Sequence, residues 1–430
     1  MRRLVVTAFA VVAVLCLTRP ALAQAGKYSL DGEHEDKGSY RGDCTIEKSN
    51  ATWEVVENVR YSSGARERRA GKGTLSGSTL SVAFDVTPSA SSTSYRLNAR
   101  YSLASLDVLR GTLEKTTGAD VATERLRRPG KGLVLVIANR QWEVQHLVSA
   151  FTKTQGMPSS IDGATVERIY HQDNAMGSEA RRPRVRFRCD GYEVELWCIE
   201  DLTRAVPGWE NLTRTKWDEL ARVFAGEGGD LAKPRKPAAV VTFGSGAGTT
   251  SVPNNGSVVV GSGVFVYDPF YSKTHDPWRA DLGHLVEGSG SNLLDGLSAV
   301  RDEVEPTFSK PPVTAGTPRL YWGDDYVSVG EVNVEHNEDY EWADPLTCKA
   351  FTSRVKGRKI GAVDTAHGLF HLKAKSISDA PCVYVAGVLN RMGKFDELDK
   401  DPKGQTTTVM QNAAAVTLRL VPTVTKNLSK

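Results

Sequence analysis

The hydrophobic pattern of this chain changes at Arg125–Lys131, a charged stretch that ends in Pro-Gly. Before it, apolar and polar residues alternate in short runs, which is typical of strands with one buried and one wet face. After it, Gly132–Ala138 is a continuous apolar run, which indicates a strand covered on both faces. A charged Pro-Gly segment between two such patterns is typical of a domain boundary. We therefore predict a small antiparallel β domain at residues 24–129 and an α/β domain at residues 130–430.

The N-terminal domain is predicted to be a small all-β barrel or sandwich. Gly, Ser, Asp and Asn separate its short strand candidates, which include Ser39–Glu47, Trp53–Arg60, Thr79–Phe84, Tyr95–Tyr101 and Val108–Leu113. Many short strands in so few residues are typical of these two folds. Segments such as Gly38–Gly42 and Gly77–Leu80 resemble the small calycin-type barrels of exported bacterial proteins. That resemblance implies a module that binds a ligand or envelope material; we favour the alternative, a structural appendage.

The residues after Gly130 are predicted to form a three-layer α/β domain, because strand and helix patterns follow one another. The strand candidates are Val194–Ile199, Ala238–Thr242, Ser257–Gly261, Val327–Val332 and Cys382–Leu389. The helix candidates are Trp142–Lys153, Thr215–Phe224, Leu293–Glu303, Asp364–Lys375 and Val409–Leu420. In such sheets ligands bind beyond the carboxyl ends of the strands, so we expect the functional side chains there.

The first residues, 1–23, have the pattern of a secretory signal peptide. Arg2 and Arg3 precede the apolar run Leu4–Leu17, and Ala21–Ala23 has the small-x-small form of a cleavage site. The apolar run is too short to span a bilayer comfortably. We therefore predict an exported product, periplasmic or extracellular, with no transmembrane segment.

Charge and cysteine usage limit the partners and cofactors. The net charge of +3 is close to neutral, so it favours neither nucleic acid nor an acidic membrane. Asp190-Gly191 predicts a type I′ hairpin turn that places Cys189 opposite Tyr192, so Cys189 and Cys198 are poor disulfide partners. The sequence contains no CxxC pair. We predict no nucleic-acid partner, no metal and no cofactor.

Five blocks of the second domain resemble the nucleoside phosphorylase and nucleosidase superfamily, and they occur in the family's order. They are Lys131–Val144, Lys236–Gly248, Asn255–Asp268, Gly361–Phe370 and Pro381–Asn390. The resemblance implies a protein that cleaves the N-glycosidic bond of nucleosides. It also implies a homo-oligomer, since family members are often dimers, trimers or hexamers.

The resemblance assigns roles to individual residues. Glu143 matches the glutamate that positions the attacking water; the other interpretation is a solvent-exposed residue of a first helical turn. Ser245 and Gly246 belong to a glycine-rich turn whose backbone N–H groups could bind a sugar or an anion. Tyr340 lies where the family contacts base and sugar, and it either stacks on a base or packs in an acidic surface loop.

The residue that contacts the leaving base has two candidates. Asp379 ends a Ser-Ile-Ser-Asp segment that looks like the family's acid motif, but it follows Asp364 too closely for a helix and a full strand to fit. Asn390 stands at the end of the last core strand, where its amide can hydrogen-bond a purine N7 or O6. We favour Asn390.

Two departures from the family weaken the expectation of ordinary activity. Ala366 stands where a ribose-ordering glutamate is expected, and Asp364 could replace it only if the helix start shifts. Glu200-Asp201 stand where a phosphate-binding glycine turn is expected, and carboxylates repel phosphate at close range. Hydrolysis is therefore favoured over phosphorolysis.

His367 and His371 have the i, i+4 spacing of a zinc site. The glutamate of an HExxH motif is missing and no third ligand is evident, so we interpret them as ordinary helix histidines. Three hypotheses remain: an exported hydrolase of purine-type nucleosides, an inactive nucleoside-binding protein on the same scaffold, and an interaction module whose β domain binds envelope material.

Overall fold

The structure is a computed structural model of the chain. It describes residues 25–89, 93–105, 108–128, 130–152, 161–162, 181–204, 206, 213–227, 229–267, 284–287, 290–323, 326–331, 357–364, 366–392, 394, 397 and 401–430. The predicted signal peptide and Tyr340 lie outside these residues. The chain divides into two compact units, Met1–Pro129 and Gly130–Lys430.

The N-terminal unit is a closed antiparallel β-barrel. Its strands are β1 (Gly26–His34), β2 (Gly38–Ser49), β3 (Thr52–Tyr61), β4 (Arg66–Ser76), β5 (Thr79–Pro88), β6 (Tyr95–Ser105), β7 (Val108–Lys115) and β8 (Asp120–Arg127). Each strand pairs with the next, and β1 pairs with β8. On β5, the buried residues Leu80, Val82, Phe84 and Val86 alternate with exposed ones, which is the period of a strand with one face inside. The predicted all-β unit is confirmed, and it is a barrel rather than a sandwich.

The barrel interior also holds a charged cluster, which we call the barrel cluster: Arg69, Glu57, Glu124, Tyr61 and Tyr101. The Arg69 guanidinium donates to Glu57 at 3.1 Å and to Glu124 at 3.0 Å, and all three side chains are buried. The Tyr101 hydroxyl bridges the same two carboxylates. Burial raises the pKa of Glu57, and the charge of Glu124 raises it further. One cation thus lies between two buried carboxylates.

The second unit is built on one mixed β-sheet. Its described strands are β9 (Leu133–Ala138), β10 (Ile161–Asp162), β11 (Val185–Cys189), β12 (Tyr192–Cys198), β13 (Ala239–Gly248), β14 (Val258–Gly261), β15 (Gly263–Tyr267), β16 (His284–Glu287), β17 (Leu320–Trp322), β18 (Tyr326–Glu331), β19 (Lys359–Asp364) and β20 (Cys382–Arg391). Its described α-helices are α1 (Gln141–Thr152), α2 (Ile199–Arg204), α3 (Thr213–Ala225), α4 (Leu297–Val304), α5 (His367–Ile377) and α6 (Pro402–Leu428). The main path of the sheet runs β10-β11-β12-β9-β13-β19-β18-β15-β16, and β20 pairs with β13 and β14.

Helices cover both faces of this sheet. Alternate residues of β9 enter two separate cores: Val134 and Val136 pack into the core that includes α1 and α6, while Leu135 and Ile137 pack into the core that includes α3 and α5. A strand buried on both faces needs apolar residues at every position, which explains the continuous apolar run of β9. The predicted α/β architecture, a sheet with helices on both faces, is confirmed.

The predicted hairpin is confirmed. Asp190 and Gly191 have φ values of 50° and 84°, as a type I′ turn requires, and Cys189 pairs with Tyr192. Among the helices that the structure describes, none is long and apolar enough to cross a membrane.

Three predicted boundaries in the second unit are wrong. Asp364 was predicted to begin a helix, but it is the last residue of β19, and α5 begins at His367. Gly244–Gly248 was predicted as a turn, but β13 continues to Gly248 because β20 runs parallel beside it along that whole length. Helix α6 extends well beyond the predicted Val409–Leu420 and continues past Pro422, a residue that usually ends a helix.

Candidate functional site

The carboxyl end of β9 lies at a branch point of the sheet. β12 pairs with one side of β9 and β13 with the other, and both pairings are parallel. The pairing between β9 and β13 ends at Ala138 and Phe243, whereas β13 continues to Gly248. The sheet therefore opens beyond Ala138, and we call the opening between Asn139–Glu143 and Gly244–Gly248 the crevice. Ligands of open α/β sheets bind in such positions.

Glu143 brings a buried carboxylate into the crevice. It is 3% exposed, at the third position of α1, and its Oε2 accepts from the backbone N–H of Arg140 at 2.9 Å. A glutamate at this position that reaches back to the residue before the helix forms half of a capping box. Its Oε1 accepts from the backbone N–H of Ser245 at 2.9 Å and from the Ser245 hydroxyl at 2.8 Å. The interpretation of Glu143 as a solvent-exposed helix residue is therefore wrong.

Opposing effects set the proton affinity of Glu143. Burial raises its pKa, and this effect outweighs the hydrogen bonds from Ser245 and Arg140, which lower it. A carboxylate with a raised pKa takes up a proton more readily than a solvated one does. β9 ends before this point and supplies no further backbone acceptors to β13. The Glu143 carboxylate takes their place by accepting from the N–H of Ser245.

Gly244 leaves space between Glu143 and His367. A Cβ atom at Gly244 would lie 3.5 Å from Glu143 Oε1 and 3.7 Å from His367 Nε2. The carboxylate oxygen and the imidazole nitrogen are therefore at most about 7 Å apart, the sum of those two distances. A methyl group at this point would therefore make ordinary van der Waals contact with both side chains.

The two histidines of α5 are buried and meet at one hydroxyl. Thr242 Oγ1 lies 2.7 Å from Nδ1 of His367 and 3.2 Å from Nε2 of His371. Burial lowers the pKa of both rings, that of His371 to about 3, which favours their neutral forms. His367 Nε2 has no hydrogen-bond partner among the described residues. Across the described parts of the chain, no group of three or more His, Cys, Asp or Glu side chains is arranged to hold a metal ion.

Asp364 and Gly246 are neighbours at the end of β19. Asp364 Oδ1 accepts from the backbone N–H groups of Ala366 and His367, both at 2.7 Å, so this carboxylate caps α5. A Cβ at Gly246 would lie 2.7 Å from the carbonyl oxygen of Val363 and 3.4 Å from Asp364 Cβ. Asp364 is therefore the end of a strand and not the predicted start of a helix, and its side chain accepts hydrogen bonds from N–H groups at the start of α5.

Asn390 lies on β20 opposite Ala247, just after a register shift between Gly246 and Ala247. It is 4% exposed, and its amide nitrogen donates to the carbonyl of Arg391 at 3.0 Å. Asp379, the other candidate, lies between α5 and β20 with a φ of 50°. Asn390 therefore stands on the strand beside the crevice, whereas Asp379 precedes that strand.

Sequence reasoning missed a buried lysine on α3. Lys216 is 2% exposed, and its Nζ has no hydrogen-bond partner among the described residues. Burial and the charge of Arg140 lower its pKa to about 8, while Glu143 and Glu200 act in the opposite direction. The sequence does indicate this burial, because Lys216 precedes Leu220 by one helical turn. That spacing places a charged residue on the apolar face of α3.

Glu200 and Asp201 are engaged within the protein. Glu200 Oε2 accepts from the backbone N–H of Gln141 at 2.7 Å, at the start of α1, and its Oε1 accepts from Arg204 at 2.8 Å. Asp201 accepts two hydrogen bonds from the Arg184 guanidinium, each at 2.5 Å. Helix N-termini often bind anions, and at the N-terminus of α1 the Glu200 carboxylate takes that position.

No protein-family model and no curated protein matches this chain. A putative 5′-methylthioadenosine/S-adenosylhomocysteine nucleosidase from Francisella philomiragia aligns over 67% of this chain and 98% of its own, at 10% identity and a TM-score of 0.40. Futalosine hydrolase of Helicobacter pylori aligns over 69% of this chain and 98% of its own, at 11% identity and a TM-score of 0.36. A redesigned β-barrel bound to DFHBI aligns over 26% of this chain and 100% of its own, at 19% identity and a TM-score of 0.23. These similarities assign no activity to this chain.

Proposed function

We propose that the second unit hydrolyses the N-glycosidic bond of purine-type nucleosides, with Glu143 as the base that activates water. The observation that supports this most is the buried carboxylate at the crevice, fixed by Ser245 and Arg140 and carrying a raised pKa. The five sequence blocks that resemble the nucleosidase superfamily agree with it.

In this mechanism Glu143 accepts a proton from water while the water oxygen attacks the anomeric carbon. The bond between that carbon and the base nitrogen breaks, and its electron pair goes to the purine. The amide of Asn390 donates a hydrogen bond to the purine, which stabilises the developing negative charge without transferring a proton. Both donors of Ser245 point at Glu143, so Ser245 acts as a positioning residue.

Two further contacts complete the proposed nucleoside site. Gly246 and Asp364, which are neighbours, are assigned to the sugar side. Tyr340, which lies outside the described residues, is assigned to stacking on the base. The position of Glu200 supports hydrolysis over phosphorolysis, because its carboxylate already occupies the N-terminus of α1, where free phosphate would otherwise bind.

One observation favours a second candidate, a nucleoside-binding protein without catalysis. Ala366 is buried and non-polar at the position where the family resemblance implies a carboxylate. The neighbouring Asp364 already accepts two backbone hydrogen bonds. The interaction that orders the sugar for bond cleavage is thereby weakened, while binding can persist.

The experiment is purine release from inosine and adenosine by the full chain, with and without phosphate. We expect release that does not depend on phosphate, and a loss of about 100-fold or more in Glu143→Gln, the range for removing a general base. Glu303→Gln serves as the control, because its carboxylate is 55% exposed and pairs with Arg419.

The outcomes separate the candidates. Nucleoside binding without release in either buffer would refute catalysis and support the binding protein. Release that requires phosphate would refute hydrolysis. Neither binding nor release would refute both candidates.

We also propose that the protein is exported, and that it is a homo-oligomer like members of the family it resembles. Expression with a C-terminal tag, followed by N-terminal sequencing of the exported product, should show cleavage after Ala23. Retention of the uncleaved chain inside the cell would contradict export, and a monomer by light scattering would contradict the oligomer. Binding of the barrel to envelope material is testable by sedimentation with isolated envelopes.

A further inference from the structure

One end of the barrel holds two tyrosine rings and a carboxylate around a single ammonium group. Tyr61 ends β3, Glu67 lies at the start of β4 and Tyr95 begins β6, and we call these three residues the barrel mouth. Lys37 Nζ lies 5.3 Å from the ring centroid of Tyr61 and 5.1 Å from that of Tyr95. It donates to Glu67 Oε1 at 2.5 Å and to the Tyr95 hydroxyl at 2.9 Å. Ring faces and a carboxylate both attract a cation, so the barrel mouth is a cation site.

The barrel mouth is held together by contacts that do not involve Lys37. Tyr61 is 2% exposed and Glu67 is 6% exposed, so both are fixed in the interior. The Tyr61 hydroxyl donates to Glu67 Oε2 at 2.7 Å, and the Tyr95 hydroxyl donates to Glu67 Oε1 at 2.9 Å. These bonds join β3, β4 and β6 directly. The two rings and the carboxylate therefore remain in place when the Lys37 side chain points elsewhere.

The buried charges of the barrel require a cation at this end. Among the residues that the structure describes, the barrel buries the carboxylates of Glu57, Glu67 and Glu124 but only one guanidinium, that of Arg69. Arg69 lies 3.1 Å from Glu57 and 3.0 Å from Glu124, whereas its distance to Glu67 is 3.7 Å. Buried charges are rarely left without a partner, so Glu67 needs a second cation.

Glu67 carries its charge at neutral pH. Burial raises the pKa of this carboxyl group, but the hydrogen bonds from Lys37, Tyr61 and Tyr95 outweigh burial and hold the pKa below its usual value. A charged carboxylate binds an ammonium ion more strongly than a neutral polar group. The barrel mouth therefore distinguishes a cation from a neutral molecule of the same size.

Lys37 occupies the site without being built into the barrel. It belongs to the turn between β1 and β2, and its side chain is 37% exposed. The turn is held by other residues, since the Glu35 N–H donates to the Val121 carbonyl at 2.8 Å and the Asp36 N–H donates to His34 Nδ1 at 3.1 Å. The flexible four-carbon stem of a lysine can turn to solvent while these bonds and the strand pairing persist.

We propose that the barrel mouth binds a primary alkylamine, whose ammonium group takes the place of Lys37 between Tyr61, Tyr95 and Glu67. A primary amine fits better than a quaternary one, because the Glu67 carboxylate and the Tyr95 hydroxyl both accept N–H donors from the occupant. Lys37 then acts as an internal competitor that limits the affinity. This site goes beyond the proposed function, which belongs to the second unit.

The test measures binding of n-butylamine to the full chain by calorimetry at neutral pH, for the parent and for Lys37→Ala. This amine has the same four-carbon stem as a lysine side chain. A tethered competitor acts at an effective concentration of about millimolar or more, so we expect Lys37→Ala to bind n-butylamine at least about tenfold more tightly than the parent. Lys48→Ala is the matched control: Lys48 is exposed in the same barrel and lies 5.9 Å from the Trp53 ring centroid, and its loss should leave the affinity unchanged.

Further ligands test the chemistry of the site in Lys37→Ala. We expect n-butanol, which is neutral, not to bind, and tetramethylammonium, which has no N–H, to bind more weakly than n-butylamine. The double variant Lys37→Ala with Glu67→Gln should lose n-butylamine binding. The amide-capped amino acid Nα-acetyl-lysine methylamide distinguishes the source of the amine: binding equal to that of n-butylamine supports a lysine side chain of a peptide, and weaker binding supports a small free amine.

A measurement on the parent chain keeps the test independent of how the variant folds. In the parent made with isotope-labelled lysine, the two tyrosine rings should shift the NMR signal of the Lys37 ε-methylene group away from those of exposed lysines. The signal is assigned by its absence from Lys37→Arg. Adding n-butylamine should move it toward the exposed-lysine position as Lys37 is displaced. If Lys37→Ala does not fold, this titration alone decides.

Four results would overturn the proposal: no n-butylamine binding to folded Lys37→Ala, equal affinity of the parent and Lys37→Ala, equal binding of n-butanol, or binding that survives Glu67→Gln. An unchanged Lys37 signal in the parent at saturating n-butylamine would also overturn it. None of these measurements uses a nucleoside, so failure of purine release refutes the proposed hydrolysis and leaves the amine site standing.

Discussion

The barrel cluster gives the sharpest stability prediction, for the variant Arg69→Met. The Arg69 guanidinium lies 3.1 Å from Glu57 and 3.0 Å from Glu124, and the three side chains are 0% exposed. Methionine would fill much of the same volume, but it would leave the buried charge of Glu124 without its cation, and that of Glu57 too at a pH above about 8, the value to which burial raises its pKa. Breaking a buried ion pair from one side costs about 3–5 kcal/mol, so we expect a loss of that size.

Arg96→Met is the matched control in the same barrel. Arg96 also pairs with a carboxylate, Asp85, at 3.1 Å, but the two side chains are 76% and 71% exposed. Exposed pairs of this kind contribute about 0–1 kcal/mol. The two variants remove the same charge and the same number of atoms, so the difference between them isolates the effect of burial.

Hydrogen–deuterium exchange of the full chain, followed on peptides from residues 25–128, measures the opening free energy of the barrel by itself. Lowering the pH should restore part of the stability of Arg69→Met, because the stranded carboxylates become protonated in the folded state before they do in the unfolded one. The reasoning would be refuted if Arg69→Met were no less stable than Arg96→Met. It would also be refuted if the loss did not shrink between pH 8 and pH 5.

Four further predictions concern single positions. Gly244→Ala should fold with nearly unchanged stability, because its methyl group would lie 3.5 Å from Glu143, but it should reduce nucleoside binding about tenfold or more by filling the crevice. Gly246→Ala should destabilise the fold, because its methyl group would lie 2.7 Å from a carbonyl oxygen of β19. Thermal melts and binding curves test both variants. Asp364→Ala should cost about 0.5–2 kcal/mol in chemical denaturation through loss of the α5 cap, and a neutral result would contradict the capping role. Burial and the charge of Glu124 raise the pKa of Glu57 to about 8, so Glu57 holds a proton in the folded barrel that it loses in the unfolded chain, and its contribution to stability should fall as pH rises from about 5 to 8. His34, whose pKa burial lowers, acts in the opposite direction, so the test is the difference in exchange, corrected for intrinsic rates, between the parent and Glu57→Gln.

The sequence predicts local structure well where one periodicity dominates. The alternation on β5 and the continuous apolar run of β9 follow directly from burial on one face and on two faces. Closure of the barrel is harder to predict, because it depends on pairs such as Leu30 with Leu126, which join distant parts of the chain. Nothing local to either strand specifies that pairing.

Prediction of the site is limited in the same way, because its contacts join distant parts of the chain. The family resemblance of Lys131–Val144 implied a role for Glu143, but its hydrogen-bond partner Ser245 lies 102 positions further along the chain. Lys216 was missed because a lysine on an amphipathic helix usually reaches solvent, and only the packing of α3 shows that this one does not. The boundary at Asp364 was wrong because a strand end and a helix cap use the same acidic residue in the same local sequence.

The closed barrel limits how the N-terminal unit can recognise another molecule. Each of its described strands has a hydrogen-bonded neighbour on both sides, including β1 and β8, which pair with each other. A peptide therefore cannot attach by adding its own strand to a sheet edge, the mode in which backbone hydrogen bonds supply much of the affinity. Recognition of a peptide must instead rely on side chains of the outer surface or of the connecting turns. Affinity for a partner would then change with single surface substitutions, which makes this unit suitable for a charge-reversal scan.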